Sequence, residues 1–317
     1  MEPNTIGYLF LLNAAVLPLS LLVDRLIGDP RSRYHPVALV GSFIGWWGRP
    51  ALWPRGIQRI AGAGMWLVTA ILFTLPFFLV SWLFPWFLFI PAGAFLLKFC
   101  LAWRSLEEHA AAVDLALGQN ISEGQKTASL MVSRDTRYLS PEQVRSAAYE
   151  SMAENLVDSI ISPLFYFGLF GLPGAAVYRA ANTMDAMLGY QDERKRIGWC
   201  SARMDDIQNF IPARIAGGLL LVYFATQGRF SQAYRGLLSD RRKRPGINGG
   251  IPMSVIASGV GIHFEKPGIY VMGTGERTLE EAGKEITRAV RVVTVAFCAL
   301  ISMVLILLGS GIIYTGL

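Results

Sequence analysis

Between Arg59 and Lys98 the chain runs through residues 60–97 without one charged side chain. A helix needs about 20 apolar residues to cross a bilayer, so this run is long enough for two crossings, with a tight turn expected near Pro85. Residues 6–23 and 292–317 are uncharged as well. A helix satisfies its own backbone polar groups in hydrocarbon, so these runs imply an all-α, polytopic membrane protein with four full spans. Composition agrees: 53% of the 317 residues are hydrophobic and 16% charged, where a soluble domain carries about 25% charge. Two further apolar stretches are flawed. Residues 159–178 contain Pro163, Gly168, Gly171, Pro173 and Gly174, and the uncharged core 215–227 of segment 211–227 is short. Both are expected to be broken or re-entrant, a form tolerated at membrane depth where protein or a cavity surrounds it. Residues 6–23 lack a basic leading region and a small-residue cleavage site, so they read as a retained span. The organisation expected is one membrane-embedded domain over 1–317, with polar stretches 98–158 and 179–291 supplying its site.

The net charge is +6, and the cations cluster. Arg25, Arg31, Arg33, Arg49, Arg55 and Arg59 follow the first span, and Arg241, Arg242, Lys243 and Arg244 form a run before the last. Both loops are therefore expected on the cytoplasmic side, with topology and lipid contact as the simplest role of the 241–244 run. No aromatic-interleaved basic module accompanies them, which speaks against nucleic acid as a partner. Cys100, Cys200 and Cys298 are far apart, and His35, His109 and His263 have no ligand spacing, so neither a disulfide framework nor a zinc site is expected.

Ser140-Pro141-Glu142-Gln143 reads as a helix start: serine caps, proline suits the first position, and glutamine closes a capping box. The helix is expected to run to Ser162 and stop before Pro163. Val144, Ala148, Met152 and Leu156 make one stripe; Glu142, Ser146, Glu150, Glu154 and Asp158 make the opposite one at i, i+4 spacing. Like charges so spaced repel, and carrying them toward low dielectric is costly without cations or donors. A divalent ion such as Mg²⁺, held by Glu150, Glu154 and Asp158 together with substrate phosphates, would relieve the repulsion. Further on, Arg179, Asn182 and Asp185 share a helical face. Asp192, Glu193, Arg194, Arg196, Arg203, Asp205 and Asp206 follow, a mixture suited to cation and phosphate together. Residues 24–37 and 244–273 look like binding loops, their glycines and prolines letting backbone approach a ligand. Residues 278–291 read as an amphipathic helix leading into the last span, capped by Thr278.

The motifs "DRLIGDP" with "HPV", "SRDT", "AEN-VD----P", "YRA-NT-D-M-GY--ER----GW-SAR-DD---N-IPAR", "NGGIPMSVIA--G" and "EKPGIYVMG" run colinearly from Asp24 to Gly273. As a set they resemble the adenosylcobinamide-phosphate synthase family, the cobalamin-biosynthesis membrane proteins called CobD or CbiB. One departure lies in residues 246–253, where many relatives read Pro-Asn-Ala-Gly with a glutamate after the next proline. This chain has Gly246-Ile247-Asn248-Gly249-Gly250 and Met253 after Pro252, so no catalytic acid is assigned there. The resemblance implies ATP-dependent amide formation between adenosylcobyric acid and (R)-1-aminopropan-2-ol O-phosphate in the prokaryotic cell membrane, with the site on the cytoplasmic side. It implies ATP and Mg²⁺ as cofactors and the corrinoid and aminoalcohol phosphate as substrates. Membrane lipid, a second copy of the chain or other membrane enzymes of the pathway are the candidate partners. Catalytic candidates are Glu150, Glu154, Asp158, Asp185 and Asp135, the first three doubling as metal ligands. Candidate substrate and phosphate contacts are Arg134, Arg179, Asn182, Arg194, Arg203, Asp29, His35, Asn155 and Asn248. A membrane prenyl- or lipid-diphosphate transferase using Mg²⁺ and an ion-coupled transporter stay open beside this reading. The first lacks a repeated N-D-x-x-D pattern here, and the second lacks an inverted repeat.

The acidic row generates a prediction. Glu154→Gln, which deletes charge and keeps size, should lower the rate of the catalysed reaction roughly a hundredfold or more. Glu142→Gln, a turn into the helix, should leave it near normal. Steady-state assays of the two purified variants check this, and equal rates would show an inert face.

Overall fold

A computed structural model describes residues 3–29 and 35–315; Arg31 and Arg33 of the basic loop lie outside them. The helices in chain order are α1 (Pro3–Ile27), α2 (Pro36–Trp47), α3 (Gln58–Leu83), α4 (Trp86–Lys98), α5 (Trp103–Gln119), α6 (Ile121–Ala128), α7 (Pro141–Leu156), α8 (Ser162–Leu188), α9 (Trp199–Gln208), α10 (Phe210–Thr226), α11 (Phe230–Asp240) and α12 (Gly250–Val260). An antiparallel hairpin follows, β1 (Phe264–Lys266) paired with β2 (Tyr270–Met272) in the register Phe264↔Met272, and α13 (Leu279–Thr315) ends the chain. The protein is all-α and polytopic. Five stretches are long and apolar enough to cross a membrane: Ile6–Ile27, Gln58–Leu83, Trp86–Gln119, Pro141–Leu188 and Leu279–Thr315. A sixth results if Trp199–Gln208 and Phe210–Thr226 form one span. The uncharged run at 60–97 divides at Pro85, which caps α4.

The contacts divide the chain into two compact units. The first holds residues 1–102, 162–209 and 298–317. In it α8 packs on α3, α2 and α9, and α1 packs on α4. The second holds residues 103–161 and 210–297. There α7 lies against α5, α6 and β1, while α12 is enclosed by α10 and α11.

Two expectations change. Ser140 and Gln143 do form the reciprocal capping box, but the helix they open does not stop before Pro163. A π turn at Val157–Ile161 carries it into α8. Proline lacks an N–H and crowds the carbonyl four residues back; a local shift to i→i+5 bonding lets the chain pass it without ending. The true break is Gly171, at φ 64° and ψ −155°. Residues 244–273 are likewise not an open loop. Their apolar centre is α12, buried along its whole length, and a helix apolar all round belongs in a core.

The amphipathic segment at 278–291 is as expected. Leu279, Ala282, Ile286 and Val290 are buried, and Thr278 Oγ1 accepts from Glu281 N at 3.3 Å.

The φ/ψ pair at Gly171 is open essentially to glycine alone, and forcing a side chain into it costs about 1–3 kcal/mol. A Cβ there would come no closer than 3.5 Å to another atom, Asn13 Nδ2 being the nearest, so the cost is conformational. Gly171→Ala should lower the thermal unfolding midpoint in detergent. Gly64→Ala, on a helix with nothing within 4 Å of the new methyl, should hold or raise it.

Candidate active site

In the second unit the acidic row is answered by partners distant in sequence. Glu150 is 3% exposed. Its Oε2 accepts from Arg134 Nη2 at 2.6 Å and from Tyr270 Oη at 2.5 Å. Its Oε1 accepts from Ser146 Oγ at 2.5 Å. The Ser146 hydroxyl in turn accepts from Glu265 N at 2.7 Å, and Gln143 Nε2 reaches Glu265 Oε1 at 3.0 Å. Residues of α7 spaced one turn apart thus stitch the β1–β2 hairpin to the helix. Burial, then the Glu150 charge, pushes the Tyr270 phenol far above its ordinary pKa, so it stays a donor.

Glu154 pairs with Arg244, so this member of the basic run is an internal counter-charge. Glu142 is not a bystander either: its Oε1 accepts from Leu279 N at 2.6 Å, capping α13. Lys266 on β1 is half-buried. Burial, then the neighbouring Arg134, lowers its pKa, against the opposing pull of Glu150 and Glu154. Asn248 Oδ1 accepts from Arg214 Nη1 at 2.8 Å.

This geometry does not fit a metal centre built by Glu150, Glu154 and Asp158. Both oxygens of Glu150 are occupied, Glu154 is committed to Arg244, and among the described residues no three His, Cys, Asp or Glu side chains are gathered to hold an ion. The repulsion along the row is relieved by arginine and hydroxyl donors. Asp158 lies half-buried in the π turn. Asn155 is turned onto its own helix, donating to Ser151 O at 2.9 Å and accepting from Ser159 Oγ at 3.0 Å. Asp135 is exposed and bound to Arg137, which holds its carboxyl down at about 2. So weak a base is a poor proton acceptor near neutrality.

The first unit gathers a different set. Asp29 Oδ1 receives the Lys98 ammonium at 2.5 Å, and His35 Nε2 lies 3.5 Å from the same oxygen. His35 caps α2, its Nδ1 accepting from Val37 N at 3.3 Å, and its ring meets Phe99 edge-on at 5.0 Å. Arg179 on α8 is near enough for its charge to act on His35. One turn on, Asn182 Nδ2 reaches Asp205 Oδ1 at 3.3 Å, and Asn209 Nδ2 reaches Asp205 Oδ2 at 3.0 Å. Asn209 Oδ1 accepts from Ser162 Oγ at 2.6 Å and Tyr178 Oη at 2.8 Å. Asp185 is half-buried on the same helix. Arg194 is spent locally: it pairs with Asp192, donates to Met187 O at 2.9 Å and covers the Tyr190 ring at 4.3 Å. Arg203 is largely exposed, 3.5 Å from Asp206.

Tyr270, Lys266, Arg244 and Lys98 escaped the site reading of the sequence. The first two stand inside "EKPGIYVMG"; Lys98 closes the longest uncharged run, and a lone cation there was itself a signal.

The profile of the CobD/Cbib protein family matches residues 17–295. Curated relatives are each named a probable cobalamin biosynthesis protein CobD. The one from Methanothermobacter thermautotrophicus is 43% identical over 82% of this chain and 86% of its own. That from Pyrococcus abyssi is 43% identical over 80% and 84%, and that from Thermococcus kodakarensis 37% over 93% and 95%. No solved structure matches the chain.

Glu150→Gln tests how the row is held. Relief of repulsion would raise stability; loss of a buried counter-charge, with Arg134 only 15% exposed, should instead cost about 3 kcal/mol or more. Tyr270→Phe should cost about 1–2 kcal/mol. Denaturation of the purified variants in detergent measures both.

Proposed function

The chain belongs to the CobD/CbiB family, and on that premise we propose that it joins a propionate carboxylate of adenosylcobyric acid to the amine of an aminopropanol phosphate at the expense of ATP. The family places this multi-pass membrane protein among the enzymes of cobalamin biosynthesis. A carboxylate is a poor acylating agent. Transfer of the terminal phosphoryl group of ATP to it gives an acyl phosphate and ADP. Attack by the amine then forms the amide bond and breaks the carbon–oxygen bond to phosphate, releasing phosphate and a proton. Arginines that neutralise the transferring group, and a base for the amine proton, are what these steps require.

The observation that supports the reading best is the setting of Lys266. A half-buried lysine with a lowered pKa stands among Arg134, Arg244, Glu150 and Glu154. Its proposed role is to accept the amine proton, with Arg134 and Arg244 facing substrate anions. Mg²⁺ is proposed to arrive with the nucleotide, since the three carboxylates of α7 and the π turn do not form a seat for it. The site is proposed to open to the cytoplasm.

Detergent-purified protein supplied with adenosylcobyric acid, aminopropanol phosphate, ATP and Mg²⁺ should yield the amide together with ADP and phosphate. With ¹⁸O in the reacting carboxylate, label should pass into phosphate. Label in AMP would replace phosphorylation by adenylation, and absence of amide from folded protein with either the free or the phosphorylated amine would refute the ligase reading.

A further inference from the structure

The first unit buries N–H groups of His35 and Arg179 that no described residue accepts from. His35 Nδ1 accepts from Val37 N, which fixes the tautomer: a neutral ring bonded in this way carries its proton on Nε2. That Nε2 is buried without a close hydrogen-bond partner among the described residues. Asp29 Oδ1 lies 3.5 Å away, a long contact to an oxygen that already receives Lys98. Arg179 Nε is also buried without a partner among the described residues. Lys98 is 1% exposed and gives one of its three N–H bonds to Asp29, while its ammonium stands 5.1 Å from the Phe99 ring. Burial, with the Lys98 and Arg179 charges, lowers the His35 pKa against the pull of Asp29, so the ring is neutral at pH 7.

A structural ion pair would satisfy its neighbours, since buried polar groups are nearly always paired. Here His35 at the α2 cap and Arg179 in the middle of α8 keep buried N–H groups without a partner among the described residues, and the buried Lys98 ammonium at the end of α4 meets the same carboxylate as His35. We propose that Lys98, His35 and Arg179 form a receptor for a phosphate group, with Asp29 holding the lysine in place. Three donors from three elements suit a tetrahedral group with three free oxygens better than a planar carboxylate. Lys98 is the residue this adds to the site, and His35 contributes by its Nε2–H and not by charge. The inference rests on the ligase reading only for what carries the phosphate, an aminoalcohol phosphate or a nucleotide.

The test is direct binding of inorganic phosphate to the full-length protein in detergent, followed by calorimetry and ³¹P line broadening. Wild type should bind saturably. Lys98→Met should weaken binding roughly tenfold or more, the loss of one charged hydrogen bond. His35→Ala should weaken it several-fold, and His35→Gln, whose amide N–H reaches to the place of Nε2, should restore it. Should Lys98→Met fail to fold, the His35 pair decides alone. Displacement of phosphate by aminopropanol phosphate but not by ATP identifies the acceptor substrate; the reverse identifies the nucleotide. Equal affinity in wild type, Lys98→Met and His35→Ala overturns the receptor, as does displacement by neither compound. Failure of this inference is separable from failure of the ligase reading. Amide synthesis without phosphate binding here leaves the reading standing. Phosphate binding without amide synthesis leaves the receptor standing.

Discussion

Glu150 carries a charge that the second unit has to enclose, and much of that unit's arrangement answers this demand. A carboxylate removed from water needs donors on both oxygens. Arg134 comes from the loop before α7, Ser146 from the turn below, and Tyr270 from the far strand of the hairpin. The hairpin is only three residues per strand, too small to stand alone. It persists because its backbone and side chains complete a polar network anchored on the helix. The capping glutamine joins the same network, so the start of α7 and the placement of β1 are one event.

The contrast between the units lies in how charge is balanced. Around Glu150 both carboxylate oxygens are answered by donors. Near Asp29, buried N–H groups of His35 and Arg179 have no partner among the described residues. Closed networks give rigidity and a unique packing; open ones give binding.

Local chemistry was legible where its partners were close in sequence. Pro85 marked the turn between α3 and α4, Ser140 and Gln143 marked a helix start, and the 3.6-residue stripe of Leu279, Ala282, Ile286 and Val290 marked the approach to the last span. The acidic row is legible as one helical face, but not the donors that answer its charge. The reason is distance along the chain: Glu150 meets Tyr270 across 120 residues and Glu154 meets Arg244 across 90. Spacing shows that charges repel, but not who relieves them. Pro163 misled for a related reason, because a π turn is a compensation made by neighbours. The buried N–H of His35, without a partner among the described residues, was invisible, since it depends on which nitrogen of one imidazole is engaged by one backbone amide.

The break at Gly171 has a consequence for how this sequence can change. In an unbroken helix, each inserted or deleted residue rotates everything downstream by about 100°, so a polar face such as that of Arg179, Asn182 and Asp185 is hostage to every upstream event. A glycine at φ 64° interrupts that transmission. The half of α8 before it is held by its own contacts, with Leu164 and Phe167 buried and Ser162 bonded to Asn209, and the half after it takes its own axis. The glycine uncouples the rotational register of one half from that of the other.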